Sequence, residues 1–168
     1  MLPGESVRRW FHRFLSIFSV EERFRRAVAV DETVVKIHGF RVYIWSALDV
    51  DSGEILAIYD SWSRNMIIAL KFIRMVLDKC LNKPLVIVDR SPWYRWALDR
   101  LGLEYRCERF GLRNTIERFF RYLKERTERF YNNINTWRIQ SVEDYAKTIA
   151  ITRNLHTTIK TQGGVLPS

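Results

Sequence analysis

The chain has 168 residues, of which 47% are hydrophobic and 14% aromatic, and this is enough to bury the core of one ordinary domain. Its 28 Lys and Arg residues outnumber its 19 Asp and Glu residues, and the net charge of +9 favours a polyanionic partner such as nucleic acid. The sequence has no apolar stretch near the roughly 20 residues of a membrane helix, no signal-peptide pattern and no Cys-x-x-Cys motif, so a soluble, intracellular protein without structural zinc is expected.

The predicted elements begin with a basic amphipathic helix and continue as strands. Large apolar residues recur at helical spacing over 6–18, and basic residues lie on the opposite side of that helix. The glycine turns at 38–39 and 51–53 separate three apolar, β-branched runs, which predicts an antiparallel meander. These strands are predicted at 28–35, 41–50 and 54–60.

The rest of the chain alternates helices with short strands. Residues 85–89 form an apolar run without alternation, which is typical of a strand covered on both faces, and the helical pattern before this run suits a parallel crossover. Pro92 and Gly102 are residues that favour the start and the C-terminal cap of a helix between them. The other elements are predicted as a helix over 66–80, an edge strand over 104–108, a long helix over 114–132 and a final helix from 141.

Together these elements predict an α/β fold with a mixed five-stranded sheet, in which three antiparallel strands are followed by parallel strands and helices cover both faces. The core is predicted over 28–160, preceded by the basic helix and lead-in over 1–27 and followed by a flexible tail over 161–168. The final helix is expected to bury Val142, Tyr145, Ile149 and Leu155.

Acidic residues stand at the end of two apolar runs that belong to different predicted strands. Asp31 follows the run 28–30, and Asp89 follows the run 85–88. A carboxylate at the end of a buried strand loses hydration that it recovers only by pairing or by coordinating a cation. Glu117, on the basic helix that follows, supplies a third acid. This layout is typical of a two-metal phosphoryl-transfer site.

Each acid also has a structural interpretation. Asp89 suits the cap of the helix that starts at Pro92, Asp31 suits a hydrogen bond with Thr33, and an acid in the first turn of a helix, such as Glu117, is favoured by the helix dipole. Four further acids compete for the role of first acid, and periodicity alone does not separate Asp31 from the strand-end residue Asp49. These competitors are Glu32, Asp49, Asp51 and Asp60, of which Asp51 lies in a turn sequence.

The helix that carries Glu117 also carries cations on the same face. At about 100° per residue, Arg121 and Lys124 lie roughly 40° and 20° from Glu117 around the axis, which suits a metal-bound phosphate and the strand leading away from it. The alternative is a solvated Glu117–Arg121 pair at i,i+4. The candidates for contacts with a DNA backbone are Arg90, Arg95, Arg121, Lys124, Arg126 and Arg129. Three aromatic residues, Trp93, Tyr94 and Trp96, cannot all face one side of a helix, so at least one is expected to be exposed and available to bases.

At this point the chain resembles the DDE-type transposases of insertion sequences, whose catalytic core has the ribonuclease H-like fold that is also seen in retroviral integrases. The resemblance is carried by VDET at 30–33, YIWSALD at 43–49 with Ser52-Gly53, VDR at 88–90 and NTIERFFRYLK at 114–124. It implies that Asp31, Asp89 and Glu117 are the catalytic acids and hold two Mg²⁺ or Mn²⁺ ions. It also implies that Lys124 contacts DNA and that Asp49 is only a strand-end residue.

The resemblance further implies DNA partners, namely transposon ends and a target, a homodimer or higher multimer, and a prokaryotic cytoplasmic, nucleoid-associated location without membrane or small-molecule substrate. The leading hypothesis is metal-dependent DNA strand cleavage and strand transfer. A second hypothesis is an idle or truncated derivative that only binds DNA, because about two dozen residues precede Val28 where such enzymes usually carry an end-recognising module. A third is a structure-selective nuclease with the same fold.

Overall fold

The computed structural model describes residues 20–37, 39–108, 114–129 and 139–162, so the predicted helix over 6–18 lies outside the described part of the chain. The strands are β1 (Ala27–Ile37), β2 (Phe40–Asp49), β3 (Ile55–Ser61), β4 (Leu85–Val88) and β5 (Tyr105–Cys107). The helices are α1 (Met66–Leu77), α2 (Pro92–Leu101), α3 (Asn114–Arg129) and α4 (Ile139–Gln162). Among these helices none combines the length and the apolar character that a membrane span needs.

The five strands form one sheet in the order β3-β2-β1-β4-β5. The first three strands of the chain pair antiparallel, while β4 pairs parallel with both β1 and β5, which confirms the predicted mixed sheet. Gly53 has a φ of 71° in the turn before β3, a conformation that a residue without Cβ adopts at little cost. The parallel pairing of β1 and β4 requires a crossover, and α1 supplies it.

Alternate residues of the central strands face two different helical layers. Ala29, Ile44 and Ile87 belong to the core formed with α3 and α4, whereas Val30 and Val88 belong to the core formed with α1 and α2. This alternation means that the side chains of consecutive residues on β1 point to opposite faces of the sheet. The side chains of Ala29, Asp31 and every second residue after them therefore face α3 and α4, and those of Val30 and Glu32 face α1 and α2.

Two helix boundaries and one buried position differ from the sequence prediction. The helix α1 ends at Leu77 rather than at residue 80, because Cys80 instead forms a parallel bridge with Arg23. The helix α4 starts at Ile139, two residues before the predicted start. The prediction that Leu155 is buried is wrong, since its exposed fraction is 41%. Its neighbour Asn154 turns to the sheet and bonds both the N–H and the C=O of Ile55, at 2.8 and 2.9 Å, which directs residue 155 outward.

A buried ion pair joins the lead-in segment to the start of the sheet. The side chain of Arg25 is fully enclosed and donates to the carboxylate of Asp49 at 2.7 Å and to the carbonyl of Lys79 at 2.9 Å. Burial raises the pKa of Asp49, but hydrogen bonds from Arg25 and from the N–H groups of Ser52 and Asp51 outweigh it and hold the pKa below its usual range. Asp49, the rival of Asp31, is therefore committed to a structural ion pair.

A second polar contact fixes α4 against β3. Burial, and next the hydrogen bond and charge of Glu143, raise the pKa of Asp60 to about 8. The pKa of Glu143 is lowered, because hydrogen bonds from Asp60 and Lys147 outweigh the effect of burial. Asp60 therefore stays protonated at neutral pH and donates to the Glu143 carboxylate, which in turn pairs with Lys147. Together with Asn154, this contact ties the last helix to the edge of the sheet.

Removal of Arg25 should destabilise the fold strongly. The substitution Arg25→Leu removes the buried cation that bonds Asp49 and leaves only the more distant, partly exposed Arg23 near it, so we expect the free energy of unfolding in urea to fall by about 3–5 kcal/mol. The matched control is Arg26→Leu, because Arg26 pairs with Asp51 on the surface and its loss should cost less than about 1 kcal/mol. Equal effects of the two substitutions would show that the buried pair has no special role.

The protonated Asp60 should make stability depend on pH. Its folded-state pKa of about 8 lies above the unfolded value, so its contribution is complete below about pH 4 and is lost progressively as the pH rises to about 8. We expect Asp60→Asn, which mimics the protonated carboxyl, to flatten the decline of the unfolding free energy between pH 5 and pH 8 by up to about 1.4 kcal/mol per pH unit. Urea titrations of the wild type and of Asp60→Asn across this pH range measure the change. Identical slopes of unfolding free energy against pH would contradict the raised pKa of Asp60.

Candidate active site

The strands β1 and β4 place Asp31 and Asp89 side by side. Their parallel register pairs Ala29 with Ile87, and the same spacing continued by two residues brings Asp31 opposite Asp89, the residue that follows β4. Neighbouring strands lie about 4.8 Å apart, so the two carboxylates arise from adjacent positions at one edge of the parallel part of the sheet. Asp31 lies two residues after Ala29 on the same strand, so its side chain points to the same face of the sheet, which α3 and α4 cover.

Both aspartates are oriented by hydrogen bonds from their own chain neighbours. Asp89 accepts from the N–H of Ser91 at 2.8 Å and from the Ser91 hydroxyl at 2.7 Å, within the turn that leads into α2. Asp89 therefore also has part of the structural role predicted for it at the start of this helix, because its carboxylate bonds Ser91, the residue just before the helix. Asp31 is 8% exposed and accepts from the N–H of Glu32 at 3.0 Å. The carboxylates are consequently fixed in direction rather than free to rotate.

Glu32 is a third carboxylate at this edge, on the opposite face of β1. The hydroxyl of Tyr94 donates to one of its oxygens at 2.5 Å, and Arg64 approaches the other at 3.4 Å. Burial raises the pKa of Glu32, and the negative charges of Asp31 and Asp89 raise it further, against the lowering effect of the Tyr94 hydrogen bond. Glu32, one of the four predicted competitors of Asp31, therefore adds negative charge next to Asp31 and Asp89 from the opposite face of β1.

The pKa of Tyr94 reflects the same negative charges. Its side chain is fully buried, and burial followed by the charge and hydrogen bond of Glu32 raises the pKa of the phenol well above its usual range. The charges of Asp31 and Asp89 add to the same effect. Sequence reasoning missed the contacts of Tyr94 and Arg64 with Glu32, because neither residue lies near β1 in the chain. The only sequence signal was that three aromatic residues on α2 cannot share one side.

Glu117 lies in the first turn of α3, the helix that packs on the face to which Asp31 points. The neighbouring residues Ile116, Phe119 and Leu123 are buried against the sheet, whereas the Glu117 side chain is exposed. Within the described ranges, no three His, Cys, Asp or Glu side chains lie close enough together to form a metal-ligand cluster. Asp31 and Asp89 are therefore juxtaposed through the sheet, and Glu117 is not gathered with them into one ligand set.

The predicted DNA-contacting cations lie on the surface where they are described. The side chains of Arg90, Arg95, Arg121 and Lys124 are exposed, while those of Arg126 and Arg129 lie outside the described part of the structure. The aromatic residues of α2 divide as predicted, since Tyr94 is buried and Trp96 is 37% exposed. Cations thus flank the candidate site on two elements, the start of α2 and the outer face of α3.

Comparisons with known proteins agree with this fold. Residues 25–161 match the family model for the DDE domain of IS240-type transposases. An uncharacterized protein of Methanocaldococcus jannaschii is 39% identical over 155 residues, which cover 91% of this chain and 72% of that protein. The transposase of an IS431mec insertion sequence-like element from Staphylococcus aureus is 30% identical over 113 residues, which cover 64% of this chain and half of the transposase.

A solved structure shows the same architecture at low sequence identity. The catalytic core domain of HTLV-2 integrase, in complex with magnesium, superposes with a TM-score of 0.57 at 11% identity. The alignment covers 77% of this chain and 86% of the integrase chain. Together with the sheet order, this likeness confirms the predicted ribonuclease H-like fold.

The Glu32–Tyr94 contact should be a major support of this edge. The substitution Tyr94→Phe removes a donor from a buried carboxylate, so we expect the free energy of unfolding to fall by about 1.5–3 kcal/mol in urea. Tyr59→Phe is the matched control, because the Tyr59 hydroxyl accepts an exposed bond from Lys71 and its loss should cost less than about 0.5 kcal/mol. A Tyr94→Phe protein as stable as the wild type would refute this role.

Proposed function

We propose that this chain, which belongs to the DDE domain family of insertion-sequence transposases, cleaves DNA at the ends of a mobile element and joins the released 3′-hydroxyl to target DNA. The observation that carries the proposal is the register of β1 and β4, which supports a pair of aspartates, Asp31 and Asp89, acting together at one edge of the sheet. The chain spans about half of the Staphylococcus transposase that it matches, so the activity of a complete transposase is itself part of the proposal.

The residues at this edge fit divalent cations. Every candidate ligand is a carboxylate oxygen, which favours Mg²⁺ or Mn²⁺ over zinc. The charges of Asp31 and Asp89 both raise the pKa of Glu32, which indicates negative charge that a divalent cation would offset. Asp31, Asp89 and Glu117 are the residues that would hold such ions. When bound, two ions would lower the pKa of the attacking hydroxyl and stabilise the leaving oxygen.

The other residues of the site would position the carboxylates and the DNA. Ser91 holds Asp89 in one orientation, and the exposed side chains of Arg121 and Lys124 extend from Glu117 along the outer face of α3. Cations spaced along one helical face suit successive phosphates of a strand that leaves the site. Arg90 and Arg95 would contact phosphates on the α2 side. Two DNA ends must be joined to one target, so we also propose that the chain acts as a dimer or higher multimer.

One observation favours a second candidate, a DNA-binding protein without catalysis. The described residues contain no three-carboxylate cluster, and Glu117 lies exposed on α3. Such a protein would bind DNA in a salt-dependent manner but would never nick it. The two candidates differ in the presence of metal-dependent chemistry, which one assay measures.

Loss of any one of the three acids should abolish strand joining. We expect Asp31→Asn, Asp89→Asn and Glu117→Gln each to reduce joining of DNA that carries the element's terminal repeats, identified from the DNA flanking the gene, by at least about 100-fold. The reason is that several kcal/mol of charge stabilisation would be lost with a ligand. The assay measures joined and nicked products in Mg²⁺ by gel electrophoresis.

The matched control for the helix is Glu125→Gln, an exposed acid two turns further along α3, which should join DNA like the wild type. Chelation of the divalent ions should abolish joining, and added Mn²⁺ should restore it. Undiminished joining by the Asp89→Asn protein would reject the proposal. Salt-dependent DNA binding by the wild type without any metal-dependent product would select the non-catalytic candidate instead.

A further inference from the structure

An open pocket of about 480 Å³ lies beside the candidate site, where α1 and α2 begin. Its lining is Asn65, Met66, Ile67, Pro92, Trp93 and Trp96, and its walls are almost wholly apolar. The volume is within the range of pockets that bind small organic groups. Since α2 starts three residues after Asp89, the pocket adjoins the edge of the sheet where the two aspartates meet.

The apolar side chains of this pocket are unusually exposed. Ile67 is 74% exposed, Met66 is 42% exposed and Trp96 is 37% exposed. Apolar side chains that line a concave pocket suit the binding of an apolar group. The pocket lies on a chain of net charge +9, which points to an occupant that combines an apolar face with negative charge.

Cations stand next to both indole rings. The guanidinium of Arg64 lies 4.9 Å from the centroid of the Trp93 ring, and that of Arg100 lies 5.5 Å from the centroid of the Trp96 ring. Aromatic rings that stack on bases, beside cations that contact phosphates, are the combination by which proteins bind single-stranded nucleic acid. Arg64 also approaches Glu32, so one side chain links the pocket to a carboxylate that neighbours Asp31 in the chain.

We infer that this pocket receives one unstacked nucleobase of the DNA strand whose phosphate lies at Asp31 and Asp89. The inference rests on the proposed function and extends it to a base-binding subsite on the α1–α2 side of the sheet. The base would lie against Trp96 and Trp93 with Ile67 on the rim, and its flanking phosphates would meet Arg64 and Arg100.

The pocket fits a base better than it fits a protein partner. A stable protein contact buries about 800 Å² on each side, which a single pocket of this size does not supply by itself. The two flanking cations would also be left facing an apolar protein segment. In a nucleotide, in contrast, the ring of the base would contact the apolar pocket wall, and the anionic phosphates would contact the neighbouring guanidinium groups.

The test uses the full chain and a single-stranded oligothymidylate with one central 2-aminopurine, whose fluorescence falls when the base stacks on an indole. We expect Trp96→Ala to weaken binding between about fivefold and 100-fold and to remove the quenching, because base stacking on an aromatic side chain has that effect on affinity. Trp96→Phe should restore most of both. Phe24→Ala, which removes a 72% exposed aromatic residue before β1, should change neither.

A pair of charge variants separates base contact from backbone attraction. Ile67→Glu and Ile67→Lys both disturb the apolar rim, and Glu in the first turn of a helix is tolerated by its dipole. Both variants should lose quenching, whereas attraction to phosphates alone would make Ile67→Lys bind more tightly than the wild type. Thermal unfolding of each variant checks that the fold is kept.

The outcomes distinguish this inference from the proposed function. Wild-type binding and quenching that survive in Trp96→Ala would overturn the base pocket and leave strand transfer untouched. A Trp96→Ala protein that loses self-association in sedimentation but not quenching would also overturn it and assign the pocket to a second copy of the chain. Wild-type protein that binds no oligonucleotide would overturn the base pocket, whereas the proposed function is overturned separately, by undiminished joining in the Asp89→Asn protein.

Discussion

The parallel pairing of β1 with β4 is the constraint on which the site depends. It aligns residues that are 58 positions apart, so that the two aspartates leave neighbouring strands at one edge of the sheet. A shift of one residue in this register would move one of the two side chains to the opposite face, where α1 and α2 pack. The register is protected because both strands are buried between two helical layers, so a slip would expose apolar side chains on both faces.

The same pairing brings carboxylates together where they are largely or partly buried. The charges of Asp31 and Asp89 raise the pKa of Glu32, and all three carboxylates raise the pKa of the buried Tyr94 phenol. Folded proteins normally avoid such crowding of like charges, since each buried carboxylate requires a cation or donors. Tyr94, Arg64 and Ser91 supply donors for part of this requirement, and divalent ions would supply the rest. Carboxylates concentrated in this way are suited to a reaction at phosphate groups in which divalent cations take part.

Local features of the sequence predicted most of the fold. Pro92 and Gly102 gave the bounds of α2, and the apolar stripe of α3 predicted that Ile116, Phe119 and Leu123 are buried. The meander, the crossover and the sheet class followed from glycine turns and apolar runs. These signals are reliable because each depends on a few neighbouring residues.

Contacts between distant residues were not accessible from the sequence. Glu32 and Tyr94 are 62 residues apart, and no spacing rule joins a strand residue to a tyrosine on a later helix. Periodicity does not separate Asp49 from Asp31, because the difference lies in a buried ion pair with Arg25, 24 residues away. Leu155 is misplaced for a similar reason, since its neighbour Asn154 bonds the distant edge strand β3. For the site itself, strand ends predicted that Asp31 and Asp89 lie together, whereas the position of Glu117 depends on how α3 is set on the sheet.

The most direct measurement of the shared carboxylate site is a titration of the ¹⁵N-labelled protein with Mn²⁺, whose unpaired electrons broaden the NMR signals of nearby amides. Broadening is expected first at residues 31–33 and 89–91, and next at the start of α3. Broadening that begins around Asp49 and Glu54, or at Asp60 and Glu143, or that is uniform over the surface, would contradict a cation site between Asp31 and Asp89.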